Sequence, residues 1–386
     1  MILRRHELIS RSCGEVLVLV CVPSKEVLMH DDRKWFWASR IQNRDTSLIR
    51  RWLLRCLALP LLAALVCSPA AAQCDAYVAQ NASNSVWAIN TMTDAPVAVI
   101  PVQFSPLGVA LAPNGKFAYV TNTGAVCDLC PVNQPSSVSV IDTATYSVVA
   151  TIPVGQYPAG VAITPNGAFA YVANYNSNSV SVIDTVTNTV TATVTVGTGP
   201  WGIAITPNGA LAYITNYTSA SVSVISTATN TVLATVALGS PGWGVAITPN
   251  GAFAYATTPG TNKVSVINTA TNAVVATVTV GCGPTSLAIT PNGAFAYVTN
   301  SCDSTVSVIN TATNTVLATV AVGSQPQNIA ITPDGLFAYT SNVLTNNLSV
   351  INTATNTVVD TVQAAGTQPL GIAIKLRPDA LTSSCR

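Results

Sequence analysis

Gly160-Val161-Ala162-Ile163-Thr164-Pro165-Asn166-Gly167-Ala168-Phe169-Ala170-Tyr171-Val172-Ala173-Asn174 is the stretch on which the reading turns. Its first position recurs at Gly202, Gly244, Ser286 and Asn328, each 42 residues further on. The motif also appears earlier, from Gly108, and later, from Gly371. Seven copies therefore begin at 108, 160, 202, 244, 286, 328 and 371, and the 52-residue step from 108 to 160 holds an insertion at about 124–135. A period of this size marks a repeat architecture, in which each unit buries its apolar face against its neighbours.

Each copy reads as four short strands. Val161–Thr164 is the first. Pro165-Asn166-Gly167 turns the chain, because Pro presets φ and Gly accepts a positive one. Phe169–Asn174 is the second strand, and Val180–Ile183 alternates as the third. Asp184–Asn188 turns again, and Val190–Val196 alternates Val with Thr or Ala as the fourth. Four strands in a unit of about forty residues predict a propeller blade. A β-helix needs shorter rungs, and leucine-rich, ankyrin or tetratricopeptide repeats need a helical pattern that is absent here. The second-strand tyrosine also occurs seven times, at Tyr77, Tyr119, Tyr171, Tyr213, Tyr255, Tyr297 and Tyr339. It runs out of phase with the first-strand motif. The predicted fold is thus an all-β, seven-bladed β-propeller whose last blade takes its inner strand from the C-terminus and its outer three from residues 75–102. Such closure removes an open edge.

Tyr119-Val120-Thr121-Asn122 and Tyr297-Val298-Thr299-Asn300, with the variants Tyr171-Val172-Ala173-Asn174 and Tyr213-Ile214-Thr215-Asn216, carry a further signal. Over 74–376 the chain resembles the YVTN-repeat β-propeller family. That resemblance implies an exported or cell-surface propeller. The family is related in fold to lactonase-type and electron-transfer propellers, so the fold leaves function open.

Composition divides the chain. Residues 1–72 hold eleven of its sixteen Lys and Arg, six of its fifteen acids, and both histidines, His6 and His30. Residues 73–386 keep five basic and nine acidic residues, a formal charge of −4, with no His and no Glu. Arg50-Arg51-Trp52 opens a basic stretch, an apolar run follows from Cys56 to Cys67, and Ala70-Ala71-Ala72 precedes Gln73. This order describes a cleavable signal peptide over 49–72, and the apolar run is short for a span. A retained anchor is the alternative, and the arginine pair leaves secretory and twin-arginine routes open. Residues 1–48 read as a start placed too far upstream or as a leader extension. The expected mature domain, 73–386, is exported to the periplasm, the cell surface or the medium.

Six cysteines follow the signal: Cys74, Cys127, Cys130, Cys282, Cys302 and Cys385. An even count in an exported chain suggests disulfides. Cys74 and Cys385 flank the seam of the shared blade, Cys282 and Cys302 sit in two loops on one face of the fifth repeat, and Cys127-x-x-Cys130 lies alone in the insertion. For the last pair a loop staple or free thiols both fit, since a zinc site wants a second pair or histidines.

Missing chemistry narrows the function. Without His there is no Ser-His-Asp or Cys-His arrangement and no imidazole metal site. Asp142 and Asp184 sit where later repeats place Ser226, Asn268, Asn310 and Asn352, as turn-capping oxygens, and Asp334 replaces the Asn of the Pro-Asn-Gly turn. Lys116, Lys263, Lys375, Arg377 and Arg386 are too few to neutralise a nucleic-acid backbone. These absences lead to the expectation of a non-catalytic scaffold with no cofactor and no metal. The alternatives are a lactonase-like metal-dependent hydrolase and a surface-layer or adhesin component.

Where repeats are near copies, departures point to function. The position before the first strand reads Leu107, Ala159, Trp201, Trp243, Thr285, Gln327 and Leu370. In a propeller it faces the central funnel. Tyr175 and Tyr217 follow their second strands, and Tyr157 is close to the same loops. The five aromatics Tyr157, Tyr175, Trp201, Tyr217 and Trp243 are the candidate site for a protein, peptide or glycan partner. Packing between blades is the competing role for the two tryptophans.

Overall fold

The computed structural model describes residues 74–124, 135–363 and 367–376. The leader, the signal segment, Cys127, Cys130 and Cys385 lie outside the described residues. Seven four-stranded antiparallel sheets follow one another, as the repeat count requires. Blade two shows why the sequence folds this way. Its strands are β8 (Pro158–Ile163), β9 (Phe169–Asn174), β10 (Ser179–Asp184) and β11 (Thr189–Thr195). The Asn166 side-chain oxygen accepts from Ala168 N and from the Thr164 hydroxyl, and Gly167 takes φ +73. At the next turn Asp184 accepts from Val186 N and Thr187 N, both at 2.9 Å. Asp142, Asn268, Asn310 and Asn352 act alike, and Asp334 replaces the turn Asn. The acids at these three turns therefore have local structural work.

The inner strand begins at Pro158, before the expected Val161, and a bulge separates the two. Proline has no N–H to give a ladder, so it fits a strand's first residue. Blade four departs further. Its inner strand, β16, covers Val245–Ile247 alone, and a 3-10 turn at Pro259–Thr261 follows its second strand. Among the described residues no helix is long and apolar enough to cross a membrane.

β9 and β10 are almost wholly buried, whereas β11 is mostly exposed. Blade one consists of β4 (Pro106–Leu111), β5 (Phe117–Asn122), β6 (Ser137–Asp142) and β7 (Ser147–Pro153). The core between it and blade two joins Tyr119, Val138, Val140 and Ile152 to Val161, Ala170, Val172 and Ile183. Every neighbouring pair of blades owns such a cluster. Each blade thus buries its two faces against two neighbours, which is how a repeat unit becomes stable. The second-strand tyrosine crosses each gap: Tyr171 donates to Asn230 at 2.6 Å, Tyr213 to Asn272 at 2.7 Å and Tyr297 to Asn356 at 2.6 Å. The accepting asparagines sit at positive φ, which Asn tolerates.

The shared blade pairs β28 (Pro369–Leu376) with β1 (Cys74–Gln80), followed by β2 (Ser85–Asn90) and β3 (Ala95–Pro101). Asp75 lies opposite Lys375 and Tyr77 opposite Ala373. The expected closure is therefore the one observed. Cys74 is disulfide-bonded.

Candidate functional site

Inner strands converge on the ring's axis, and the variable position, expected ahead of each strand, falls on its second residue except at Trp243, which precedes β16; all seven line a central cavity of about 170 Å³. The strands crowd together there. A Cβ added at Gly160 would stand 2.5 Å from the Trp201 carbonyl oxygen, and one at Gly202 would stand 2.4 Å from that of Trp243. Glycine therefore lets neighbouring backbones touch. The Thr of the second strand then fixes them: Thr215 accepts from Gly202 N at 2.8 Å and donates to the Trp243 carbonyl. Thr121 and Thr257 do the same for Ala159 and Thr285.

Two kinds of wall result. Trp201 and Trp243 line the cavity, their ring centroids 4.7 Å apart in an edge contact. Behind them Trp201 meets Tyr157 at 6.2 Å and Tyr175 at 5.5 Å, and Trp243 meets Tyr217 at 5.5 Å. All five candidate aromatics thus form one continuous, half-buried cluster across blades two to four. Of the five, the tryptophans alone line the cavity. Tyr157 stands in the left-handed region, at φ 55, where blades three and five place Gly199 and Gly283 and blades one, six and seven place Ser105, Gln325 and Gln368. The turn therefore belongs to the scaffold, and a bulky side chain held there costs on the order of 1–3 kcal/mol. Burial, and after it Tyr175, raise the Tyr157 phenol above its ordinary value.

The adjoining wall is polar and comes from blades five and six, where Thr285, Ser286, Gln327 and Asn328 replace aromatic and glycine positions. Thr285 is 3% exposed; it bonds Thr299 at 2.8 Å and donates to the Gln327 carbonyl at 3.0 Å. The Asn328 oxygen accepts from Ile329 N at 2.8 Å and from Ser286 at 3.4 Å, leaving its NH2 for the cavity. The amide of Gln327 has no protein partner among the described residues. Ser286, Asn328 and their neighbours escaped attention as a wall. Their signal was the loss of Gly at 286 and 328 among otherwise faithful repeats.

A divalent metal wants carboxylate or imidazole donors. The cavity lining has neither, and no group of three or more His, Cys, Asp or Glu able to hold an ion occurs among the described residues. Neutral hydroxyls and amides do not fit the metal expected of the hydrolase alternative. Elsewhere Cys282 and Cys302 are brought together as thiols rather than joined.

The model of the family "Lactonase, 7-bladed beta-propeller" matches residues 88–193 and 243–386. The chain belongs to that lactonase family. This membership overturns the expectation that the protein is no enzyme. Lost His and Glu remove particular mechanisms, but membership of a lactonase family points to a hydrolase. Among relatives of the lactonase chain, hydrazine synthase subunit beta of Kuenenia stuttgartiensis is 30% identical over 125 residues, 27% of this chain and 32% of that protein. The match thus spans about a third of the relative's length. The structure of Kuenenia stuttgartiensis hydrazine synthase is 24% identical, with TM-score 0.63, over 72% of this chain and 92% of that one. A Bacteroides uniformis structure described as a 6-phosphogluconolactonase candidate is 19% identical, with TM-score 0.66, over 78% and 99%. At these identities both structures speak for the fold alone.

Proposed function

We propose that this lactonase-family protein binds a single sugar-class ring, a sugar lactone foremost, in the central cavity and opens it by hydrolysis. The observation that carries the reading is the pairing of the two walls. Indole faces suit the apolar C–H face of a sugar ring, while the amides of Gln327 and Asn328 suit its oxygens. Size limits the ligand. About 170 Å³ exceeds only slightly the cavity of about 150 Å³ that holds one benzene ring. A monocyclic ligand fits this, and a folded peptide does not.

Hydrolysis of a lactone places negative charge on its carbonyl oxygen. Amide N–H donors held beside that oxygen stabilise the charge, and removing one such donor costs on the order of 10² in rate. The lining residues hold no group that titrates near neutral pH, so water attack draws on hydroxide. The rate then climbs steadily with pH, with no bell. Export through the 49–72 signal, into the envelope or beyond, is part of this proposal, as is the YVTN-type assignment of the repeats.

The test is a titration of tryptophan fluorescence with a panel of sugar lactones and the matching sugars, run beside pH-stat hydrolysis. A quench that saturates, with acid release above the uncatalysed rate, is the expected result. No quench and no acceleration with any monocyclic lactone would sink the reading.

A further inference from the structure

Blade five carries a second feature, at the mouth of the same ring but chemically independent of it. Its inner strand, β20 (Pro284–Ile289), is preceded by Cys282, and its second strand, β21 (Phe295–Asn300), is followed by Cys302. The backbone sets these two residues face to face: Cys302 N donates to the Cys282 carbonyl at 3.2 Å. The same bond joins Asn176 to Gln156 at 3.2 Å, Thr218 to Thr198 at 3.1 Å and Leu344 to Ser324 at 3.2 Å. The scaffold therefore builds this cross-loop pair in blade after blade, and blade five fills it with two thiols. Directly opposed residues of antiparallel segments lie about 4.5–5.5 Å apart at Cα, within the range of about 4.4–6.8 Å that a disulfide spans.

Three further observations suit the pair to oxidation. The two side chains hydrogen-bond each other. Gly283 keeps the space between them open, since a Cβ there would stand 2.6 Å from Cys302 Sγ. Cys302 is exposed, whereas Cys282 is half-buried. The hydrogen bond with Cys302, then burial, then the charges of Cys302 and Asp303 push the Cys282 thiol up to about 11, so it waits protonated at neutral pH.

We infer that Cys282 and Cys302 are an oxidation site that closes into a disulfide clip across the mouth of blade five. Cys302, as thiolate, attacks the disulfide of an external oxidant of the dithiol–disulfide class, and one sulfur of that oxidant leaves as a thiol. Cys282 then loses its proton to solvent and attacks Cys302 Sγ, displacing the oxidant's second sulfur. Two S–H bonds are lost, one S–S bond forms, and the two electrons reside on the reduced oxidant. With Cys302 in the mixed disulfide, the hydrogen bond and charge that held the Cys282 proton are gone, which favours the second step. The clip ties together the loops leading into Thr285 and out of Thr299, the hydroxyl pair at the cavity's polar wall.

The test uses the purified full chain, incubated with dithiothreitol or with oxidised glutathione, then alkylated and mapped by mass spectrometry. Expected is one peptide pair linked through Cys282 and Cys302 after oxidation, absent after reduction, with a Tm higher by a few degrees in the oxidised form. In Cys282→Ser, Cys302 should instead retain a glutathione adduct, because the resolving thiol is missing. Both thiols freely alkylated after oxidised glutathione would overturn the inference, as would a persistent glutathione adduct on wild-type Cys302. Neither outcome bears on lactone binding, which the fluorescence titration reads separately.

Discussion

The second strand and the funnel-facing residue at the start of the inner strand obey opposite rules. Along the second strands the same tyrosine stands in every blade, buried at 0–2% exposure. At the funnel the seven equivalent positions hold Leu, Ala, Trp, Trp, Thr, Gln and Leu. One set repeats because every gap between blades poses the same packing problem. The other varies because all seven positions meet around one cavity, where a ligand has no sevenfold symmetry. The contrast separates scaffold from site.

High pH is the severest way to break the repeated half. Burial holds the phenols of Tyr119, Tyr171, Tyr213 and Tyr297 up to about 12, with Asp184 adding to the effect at Tyr119. An unfolded phenol ionises near about 10. Between these values the unfolded chain binds fewer protons than the folded one, so stability falls as pH rises. Melting followed by circular dichroism should be flat up to about pH 10 and decline steeply above it. A flat profile to pH 12 would show the tyrosines to be less buried than described.

Next in size is Tyr213→Ala, expected to cost about 3–5 kcal/mol in chemical denaturation, the range for deleting a buried aromatic. Tyr213→Phe keeps the ring and loses the 2.7 Å bond to Asn272, so about 1 kcal/mol is expected. At the varied half the expectation inverts. Trp201→Ala with Trp243→Ala should abolish the fluorescence-independent binding of a lactone, read by calorimetry, with melting changed far less than in Tyr213→Ala. A melting loss equal to that of Tyr213→Ala would return both tryptophans to the core. The smallest effect is expected at Tyr157→Gly. Relief of the left-handed backbone is offset by greater unfolded-chain entropy and by a lost ring contact, leaving stability within about 1 kcal/mol of wild type. Binding should weaken all the same, because Tyr157 supports Trp201.

Much of this was readable from residues. Phe169–Asn174 was bounded as a strand to the residue, and Pro165-Asn166-Gly167 turned as its chemistry demands. Phase alone revealed the shared blade. The partners of the repeated residues were another matter. Nothing in Tyr171 says that its hydroxyl reaches Asn230, since 59 positions separate them and only the packing of blade three on blade two brings them together. The aromatic cluster was legible because rings stand out by type. The polar wall was less so: Gln327 could be placed at the funnel, but no local pattern says that it and Asn328 share one cavity with two tryptophans.

The seam gives the molecule a schedule. Asp75 pairs with Lys375, 300 positions away, and β28 covers one edge of β1, which is buried throughout. Synthesis proceeds from β1 towards β28, so the first strand made must wait for the last. Blades one to six each complete themselves in passing, from four consecutive strands. The ring, by contrast, remains a horseshoe with one bare sheet edge until its final few residues emerge, and any chain halted short of Pro369 stays open however well its other blades have formed.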